Sequence, residues 1–391
     1  MSTRNRNIIL AVIVFIAVVT VLFLLWWFLI RDNQSSSKGT CYVNGYKKYD
    51  CLSSSCSSSS CSSDCSCCSS CDSSSSSSSS DCVAACNTSI DYTNTQNVTG
   101  LNTTFATKHA VSSFGGIVVD QQSAAVTSRL HLYTPLGDSF YEKLIVDVPG
   151  INAMVSASQK YLFCATQAAD LSDAGMAFVF AKSDTSWVEV QRLSLASKPL
   201  SIDSHDDYML LRFAAMVNLY KDGVQDFNFK DVTPIDAKIY CDKILISVTG
   251  AAYLFKKKCV GVWEPYKTFL GNDSTFGESV DLHKKFLCVK DSTSIFIYRM
   301  RNLDHPMHKI TVPTTTTYYH ITGYENLVIW EKESVILYDY ECGKWINTKT
   351  ISLAGSLVSH VSHGDGWIFI SKEIGTAANV ALNIWKRTKR T

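Results

Sequence analysis

Glu278-Ser279-Val280-Asp281-Leu282, Lys285-Phe286-Leu287-Cys288-Val289, Ile295-Phe296-Ile297-Tyr298 and His308-Lys309-Ile310-Thr311-Val312 are the stretch on which the fold turns. Each run is short and apolar at alternate positions, and polar residues such as Asp291-Ser292-Thr293 separate one run from the next. Half-buried strands read this way, because successive side chains leave a strand on opposite faces. The preceding segment repeats the scheme as Ala237-Lys238-Ile239-Tyr240, Lys243-Ile244-Leu245-Ile246-Ser247, a strand ending in Phe255, and Trp263-Glu264-Pro265-Tyr266-Lys267. The following segment does so again with Tyr319-His320-Ile321, Asn326-Leu327-Val328-Ile329-Trp330, a strand ending in Tyr338, and Trp345-Ile346-Asn347-Thr348.

The third strand of the unit sets the period. Its pattern is apolar, any residue, apolar, aromatic, and it ends successively on Tyr133, Phe180, Tyr220, Phe255, Tyr298, Tyr338 and Trp385. The steps are 47, 40, 35, 43, 40 and 47 residues. A period near 40 in a sequence of strands is that of a propeller blade. Four strands per unit and seven units predict an all-β fold, a seven-bladed β-propeller over residues 101–391. Two β-sandwiches would also space strands evenly, but seven recurrences of one aromatic position favour the ring. The last unit stops six residues after Trp385, without a fourth strand. The segment Leu101 to Thr107 is expected to supply it and close the ring.

Phe276-Gly277-Glu278-Ser279-Val280-Asp281-Leu282, with the two strands after it, resembles an FG-GAP or hyalin-type propeller repeat. Phe178-Val179-Phe180-Ala181-Lys182-Ser183-Asp184-Thr185-Ser186-Trp187 is similar to the strand, turn and aromatic strand start of that family. The likeness spans residues 105 to 391 and implies a propeller. In many relatives it also implies a calcium-binding acidic loop. Here no Asp-x-Asp-x-Asp-Gly loop occurs, and Asp203, Asp206, Asp207 and Asp222-Gly223 are isolated, so neither calcium nor any cofactor is expected.

Upstream of the repeats the composition changes twice. Ile8 to Ile30 is a run of 23 residues in which only Thr20 is polar. As a helix it would reach about 34 Å, enough for a hydrocarbon core of about 30 Å. A cleaved signal peptide would have a shorter apolar core and small residues at its end; this run ends in Trp-Trp-Phe-Leu-Ile-Arg, so an uncleaved transmembrane helix over 8–30 is predicted. Arg4 and Arg6 before it nearly balance Arg31 and Lys38 after it. Orientation therefore rests on the glycosylation sequons at Asn87, Asn97, Asn102 and Asn272. Together with a Cys-rich tract they favour a type II arrangement. Residues 1–7 are then a short cytoplasmic tail, and the C-terminal domain is extracellular or lumenal, at a cell surface or on a virion envelope.

Residues 31–100 are dominated by Ser, with nine cysteines between Cys51 and Cys86 and few large apolar side chains. Such a segment buries too little surface to offset chain entropy, and it reads as a disordered stalk. Disulfides within or between chains suit its cysteines best, which allows a disulfide-linked homo-oligomer. Thiolate metal binding and palmitoylation are the other two chemistries that fit. The run Ser73 to Ser80 is either an O-glycan carrier or a stretch with no chemistry.

Catalytic constellations are scarce. Ser183 to Trp187 partly resembles an Asp-box turn, which is itself structural. His360, His363 and Asp365 are close in sequence, yet strand residues three apart face opposite ways. Asp206-Asp207 beside His205 is expected to be a tight turn. Cys164 and Cys288 sit among apolar residues as small buried hydrophobes, whereas Cys241 and Cys259 share a unit and are disulfide candidates. A net charge of +1 with 18% charged residues gives no field for nucleic acid. The expected function is non-enzymatic: a membrane-integral protein whose propeller binds a protein or glycan ligand. A glycan- or ester-hydrolysing propeller, with acidic or Arg residues converging on the channel, and a structural coat component are the alternatives.

Overall fold

A computed structural model describes residues 40–43, 46–50 and most of 90–389, and every regular element among them is a β-strand. The chain divides into two units, Met1–Asp72 and Ser73–Thr391. In the first, Thr40–Val43 pairs antiparallel with Tyr46–Asp50 as a short hairpin. The expected transmembrane segment 8–30, most of the expected stalk, Asn87, Asn102 and Cys259 lie outside the described residues. No helix among the described residues is long and apolar enough to cross a membrane.

The second unit is a ring of seven four-stranded antiparallel sheets. Blade 1 is Phe105–Val111, Gly116–Asp120, Thr127–Leu136 and Ser139–Pro149, and blade 2 is Ile151–Ala157, Tyr161–Gln167, Gly175–Lys182 and Trp187–Leu195. Blade 3 is Ser201–His205, Tyr208–Arg212, Met216–Lys221 and Val224–Lys230, and blade 4 is Asp236–Tyr240, Lys243–Val248, Ala251–Lys257 and Trp263–Leu270. Blade 5 is Ser279–Leu282, Phe286–Lys290, Ser294–Arg299 and His308–Thr311, and blade 6 is Tyr318–Ile321, Asn326–Trp330, Ser334–Glu341 and Lys344–Ser352. Blade 7 takes Val358–Gly364, Trp367–Ile374 and Asn379–Lys389 from the end of the chain, and Ile90–Thr99 as its fourth strand. The first strand of each blade packs beside the first strand of the next, all the way round from blade 7 to blade 1.

Alternation within each strand explains why both faces are apolar. Tyr208 and Leu210 enter the core shared with blade 4, while Met209 and Leu211 enter the core shared with blade 2. Seven apolar cores result, one at each seam between blades.

The recurrent aromatic also acquires a physical meaning. In all seven blades it packs into the core shared with the preceding blade, as Phe180 does against blade 1 and Tyr298 against blade 4. In blades 1, 2, 3, 4 and 6 a bulge in the fourth strand falls opposite the step onto that aromatic, for example between Val179 and Phe180. Blade 7 has it too, where Asn94 pairs with Trp385 and Gln96 with Ile384. One extra residue bends the outer strand and increases its twist.

Gly277 in the Phe-Gly pair is the other conformationally demanding position. Its φ of +86° is left-handed, and a Cβ there would lie 2.6 Å from the Val248 carbonyl oxygen. Phe276 beside it is buried in the core between blades 4 and 5.

Ring closure departs from expectation. The closing strand is Ile90–Thr99, whereas the segment Leu101 to Thr107 expected in that role runs into Phe105–Val111, the innermost strand of blade 1. The propeller therefore begins ahead of the predicted boundary at residue 101. An outermost strand needs little apolar character, and of these ten residues only Tyr92 is fully buried.

Polar contacts fasten that strand. Asp339, 1% exposed, accepts from Arg387 Nη2 at 2.9 Å and Nε at 3.1 Å, and from Thr348 Oγ1 at 2.6 Å. It also receives Asn326 Nδ2 and, at 3.3 Å, the Tyr92 hydroxyl. Gln96 bonds both the backbone N–H and the carbonyl of Phe140 in blade 1. Lys349 donates to Asp91 and to the Tyr92 carbonyl.

Candidate functional site

The first strands line the centre of the ring, and their polar side chains join successive blades. Asp203 in blade 3 accepts the Ile239 N–H of blade 4 at 2.8 Å, and Asp236 in blade 4 accepts the Val280 N–H of blade 5 at 3.2 Å. Asp281 in blade 5, 1% exposed, takes His320 Nδ1 of blade 6 at 2.7 Å, and the Tyr319 hydroxyl returns a bond to the Ser279 carbonyl. Ser156 meets Ser204 at 2.7 Å between blades 2 and 3. Between blades 7 and 1, His109 lies between Ser362 and Ser371 at 2.6 Å each. Ser371 donates to the Ala106 carbonyl, so it accepts from His109 Nε2–H, and Nδ1 is left to accept from Ser362.

The charges in this inner ring are uneven. Burial pushes the Asp203 carboxyl above the usual range. Burial also opposes a charge on Lys238, but Asp203, Asp236 and Asp281 together outweigh it and hold the ammonium protonated. The convergence of acidic residues on the channel, which could not be assembled from sequence, is therefore present at Asp203, Asp236 and Asp281. Each of the three also holds a backbone N–H, its own blade's or the next's. Burial lowers His283 to about 3 and His109 to about 3, so both are neutral near pH 7. Neither ring nitrogen of the buried His363 has a hydrogen-bond partner among the described residues.

A cavity of about 240 Å³ opens between blades 2 and 3. Small-molecule sites run to roughly 300–1,000 Å³, so this one suits a side chain rather than a whole cofactor. Tyr161 and Phe163 come from the second strand of blade 2, and Met209 and Tyr220 from blade 3. Its two charged residues are both carboxylates. Asp207 follows Asp206 (φ +51°) in the turn after the innermost strand, and Asp222 (φ +49°) precedes Gly223 (φ +77°) in the hairpin between the third and fourth strands of the blade. Two successive positive φ values mark the tight Asp-Gly hairpin turn. Asp207 is 3.7 Å from Lys221. Asp222 is exposed and has no hydrogen bond or ion pair to another described residue.

The residues singled out in the sequence are dispersed. Asp203 lies in the inner ring, whereas Asp207 and Asp222 meet at the groove; no group of three or more His, Cys, Asp or Glu that could hold a metal ion occurs among the described residues. His360 stacks on His109 with ring centroids 4.5 Å apart, and Asp365 accepts from Ser113 in a turn. Ser183 and Ser186 close the turn before Trp187, which packs between blades 1 and 2. Asn97 is exposed on the closing strand and Asn272 on the loop between blades 4 and 5. Cys164 and Cys288 are buried, and burial raises both thiols. Cys241 Sγ lies 3.2 Å from His205 Nε2, and the pairing expected of it falls on Cys259, outside the described residues. Sequence reasoning missed the groove, because its two aspartates are 15 positions apart and its aromatics come from two blades.

No family model matches the chain, and no curated protein matches it in sequence. Among solved structures, a chain in the crystal structure of a mitotic checkpoint complex is similar with a TM-score of 0.52 at 7% identity, over 76% of this chain and 92% of that one. A crystal structure of Kluyvelomyces marxianus Hsv2 gives 0.49 at 8% identity, over 73% of this chain and 98% of that one. At such identities the first of these bears on the fold alone: the chain is an all-β, seven-bladed β-propeller.

Proposed function

We propose that the chain is a membrane-anchored display protein of type II orientation whose propeller binds a protein or glycan ligand. The observation that carries this reading is how the channel wall is used. Its carboxylates are committed to backbone N–H groups, while the groove between blades 2 and 3 keeps an exposed carboxylate and aromatic walls. Groups held in fixed hydrogen bonds build the ring, and groups left open are available to a partner. The exposed Asn97 and Asn272 support a glycosylated, outward-facing domain, and the apolar run 8–30 supports the anchor. Placement among FG-GAP or hyalin-type repeats belongs to the same proposal, supported by the buried Phe276 and the left-handed Gly277.

The test is a glycan and cell-surface binding screen with the full chain in detergent micelles, alongside protease and glycosidase treatment of intact membranes. Saturable binding and a glycan shift are expected; full protease protection with no shift would remove the orientation. A truncation starting at residue 100 is unsuitable, because it deletes the closing strand. One contact favours a second reading, hydrolysis: Asp281 orients His320 as a carboxylate–imidazole pair with a half-buried ring. That reading requires turnover of chromogenic esters or glycosides that His320→Asn abolishes.

A further inference from the structure

We infer that the groove between blades 2 and 3 is the seat of a cationic side chain, arginine in preference to lysine, projected by a protein partner. The inference rests on the binding role proposed above and names the chemistry of one contact. Three features select the occupant.

The first is size. About 240 Å³ holds one long side chain but not a folded segment. The second is the lining: the half-buried Tyr161 and Tyr220 offer aromatic faces to an aliphatic stem and a planar head, over a floor formed by the buried Phe163 and Met209. The third is charge. Both charged residues of the lining are carboxylates; Asp207 already has Lys221 as a cation, and Asp222 is the one open to a further charge. Lys221 lies 3.7 Å from Asp207 and 5.3 Å from the centre of the Tyr208 ring, and Lys160 lies 5.2 Å from the centre of the Tyr161 ring. Among the described residues no cation pairs with Asp222. A guanidinium answers all three, since it stacks on aromatic rings and forks onto carboxylates where an ammonium is a compact point charge.

The turns make the groove a fixed receptor. Gly223 approaches so closely that a Cβ would fall 2.0 Å from Gln191 Nε2 of blade 2, so the hairpin bearing Asp222 is packed directly onto the neighbouring blade.

The experiment measures a fluorescent heptapeptide, Gly-Ser-Gly-Arg-Gly-Ser-Gly, against the same peptide with citrulline, using the full chain in detergent micelles. Citrulline keeps the shape and removes the charge. The arginine peptide is expected to bind at least about tenfold more tightly, and to weaken as salt rises from 0.05 to 0.5 M. Asp222→Asn, in an exposed turn, should lower the affinity several-fold at unchanged melting temperature, and Asp207→Asn should do the same. Equal binding of the two peptides, or binding of neither at 10 mM, overturns the inference, as does an Asp222→Asn chain that binds like the parent. A chain that binds cells or glycans in the screen yet ignores both peptides loses this contact and keeps its binding role.

Discussion

Removing the Asp339 carboxylate should loosen the closing strand more than any other single polar change there. Asp339→Ala strips an acceptor from Arg387, Thr348, Asn326 and Tyr92 at once. The Arg387 side chain is 9% exposed, so its buried guanidinium would lose the Asp339 charge. Stranding one partner of a buried pair costs about 3–5 kcal/mol. Tyr92→Phe removes a bond to the same carboxylate at 3.3 Å and the one that Asn326 Nδ2 donates to its hydroxyl at 2.7 Å, together worth about 1–2 kcal/mol. With a urea m-value of about 3 kcal/mol per molar, Asp339→Ala should bring the unfolding midpoint down by roughly 1–2 M, and Tyr92→Phe by a few tenths. Tryptophan fluorescence reads the transition, and limited proteolysis should show cleavage upstream of blade 1 before the rest of the ring. The paired replacement Asp339→Leu with Arg387→Met should recover most of the loss, because no charge is then stranded. A shift for Asp339→Ala equivalent to less than about 1 kcal/mol would refute the reasoning, as would a pair no better than the single change.

Acid should destabilise the ring. Burial holds His109 near 3 when folded, against about 6.5 in an unfolded chain, so the unfolded state binds the extra proton. Its stabilisation is complete above about pH 6.5 and is lost as pH falls toward 3, about 1.4 kcal/mol by pH 5.5. His283, His360 and His363 are depressed by burial too and act with the same sign; a melting temperature unchanged between pH 7 and 5 would count against this, and His109→Gln should flatten the dependence. Gly277→Ala should cost about 1–3 kcal/mol, from a left-handed φ and the close Val248 carbonyl; thermal unfolding reads it, and a neutral outcome would mean that the turn can shift. Cys164 and Cys288 should resist maleimide in the native chain and react on unfolding, since burial keeps both thiols protonated; stoichiometric labelling of either when folded would contradict its placement.

What was legible in the sequence follows from where a residue's partners lie. The strands of blades 4 to 6 could be read because each buries both faces and so carries dense apolar runs, such as Ile244 to Ile246 and Leu327 to Ile329. The aromatic period could be read because each ring fills the same seam position in every blade. Ile90–Thr99 was missed since an outermost strand leaves one edge to solvent, and Asn94, Gln96 and Asn97 read like the stalk before them. The inner-ring bonds left no local trace. Asp203 finds Ile239 at a distance of 36 residues, and a backbone N–H as partner imposes nothing on the identity of the residue that carries it. The groove was hidden for a related reason, with Tyr161 and Asp222 assembled from adjacent blades.

The closing strand has a consequence for how the ring is made. Ile90–Thr99 is synthesised ahead of every blade, yet its partner Asn379–Lys389 appears only after blades 1 to 6. The sheets of blades 1 to 6 pair only strands a few dozen residues apart and can form in order as the chain emerges. The closing strand must meanwhile wait without its partner, with its backbone donors and acceptors open to other strands. Closure then pairs residues almost 300 positions apart, a contact whose loop entropy makes it slow. The polar character that hid this strand from the sequence reading suits that wait: ten residues with a single fully buried side chain offer little for premature association to grip.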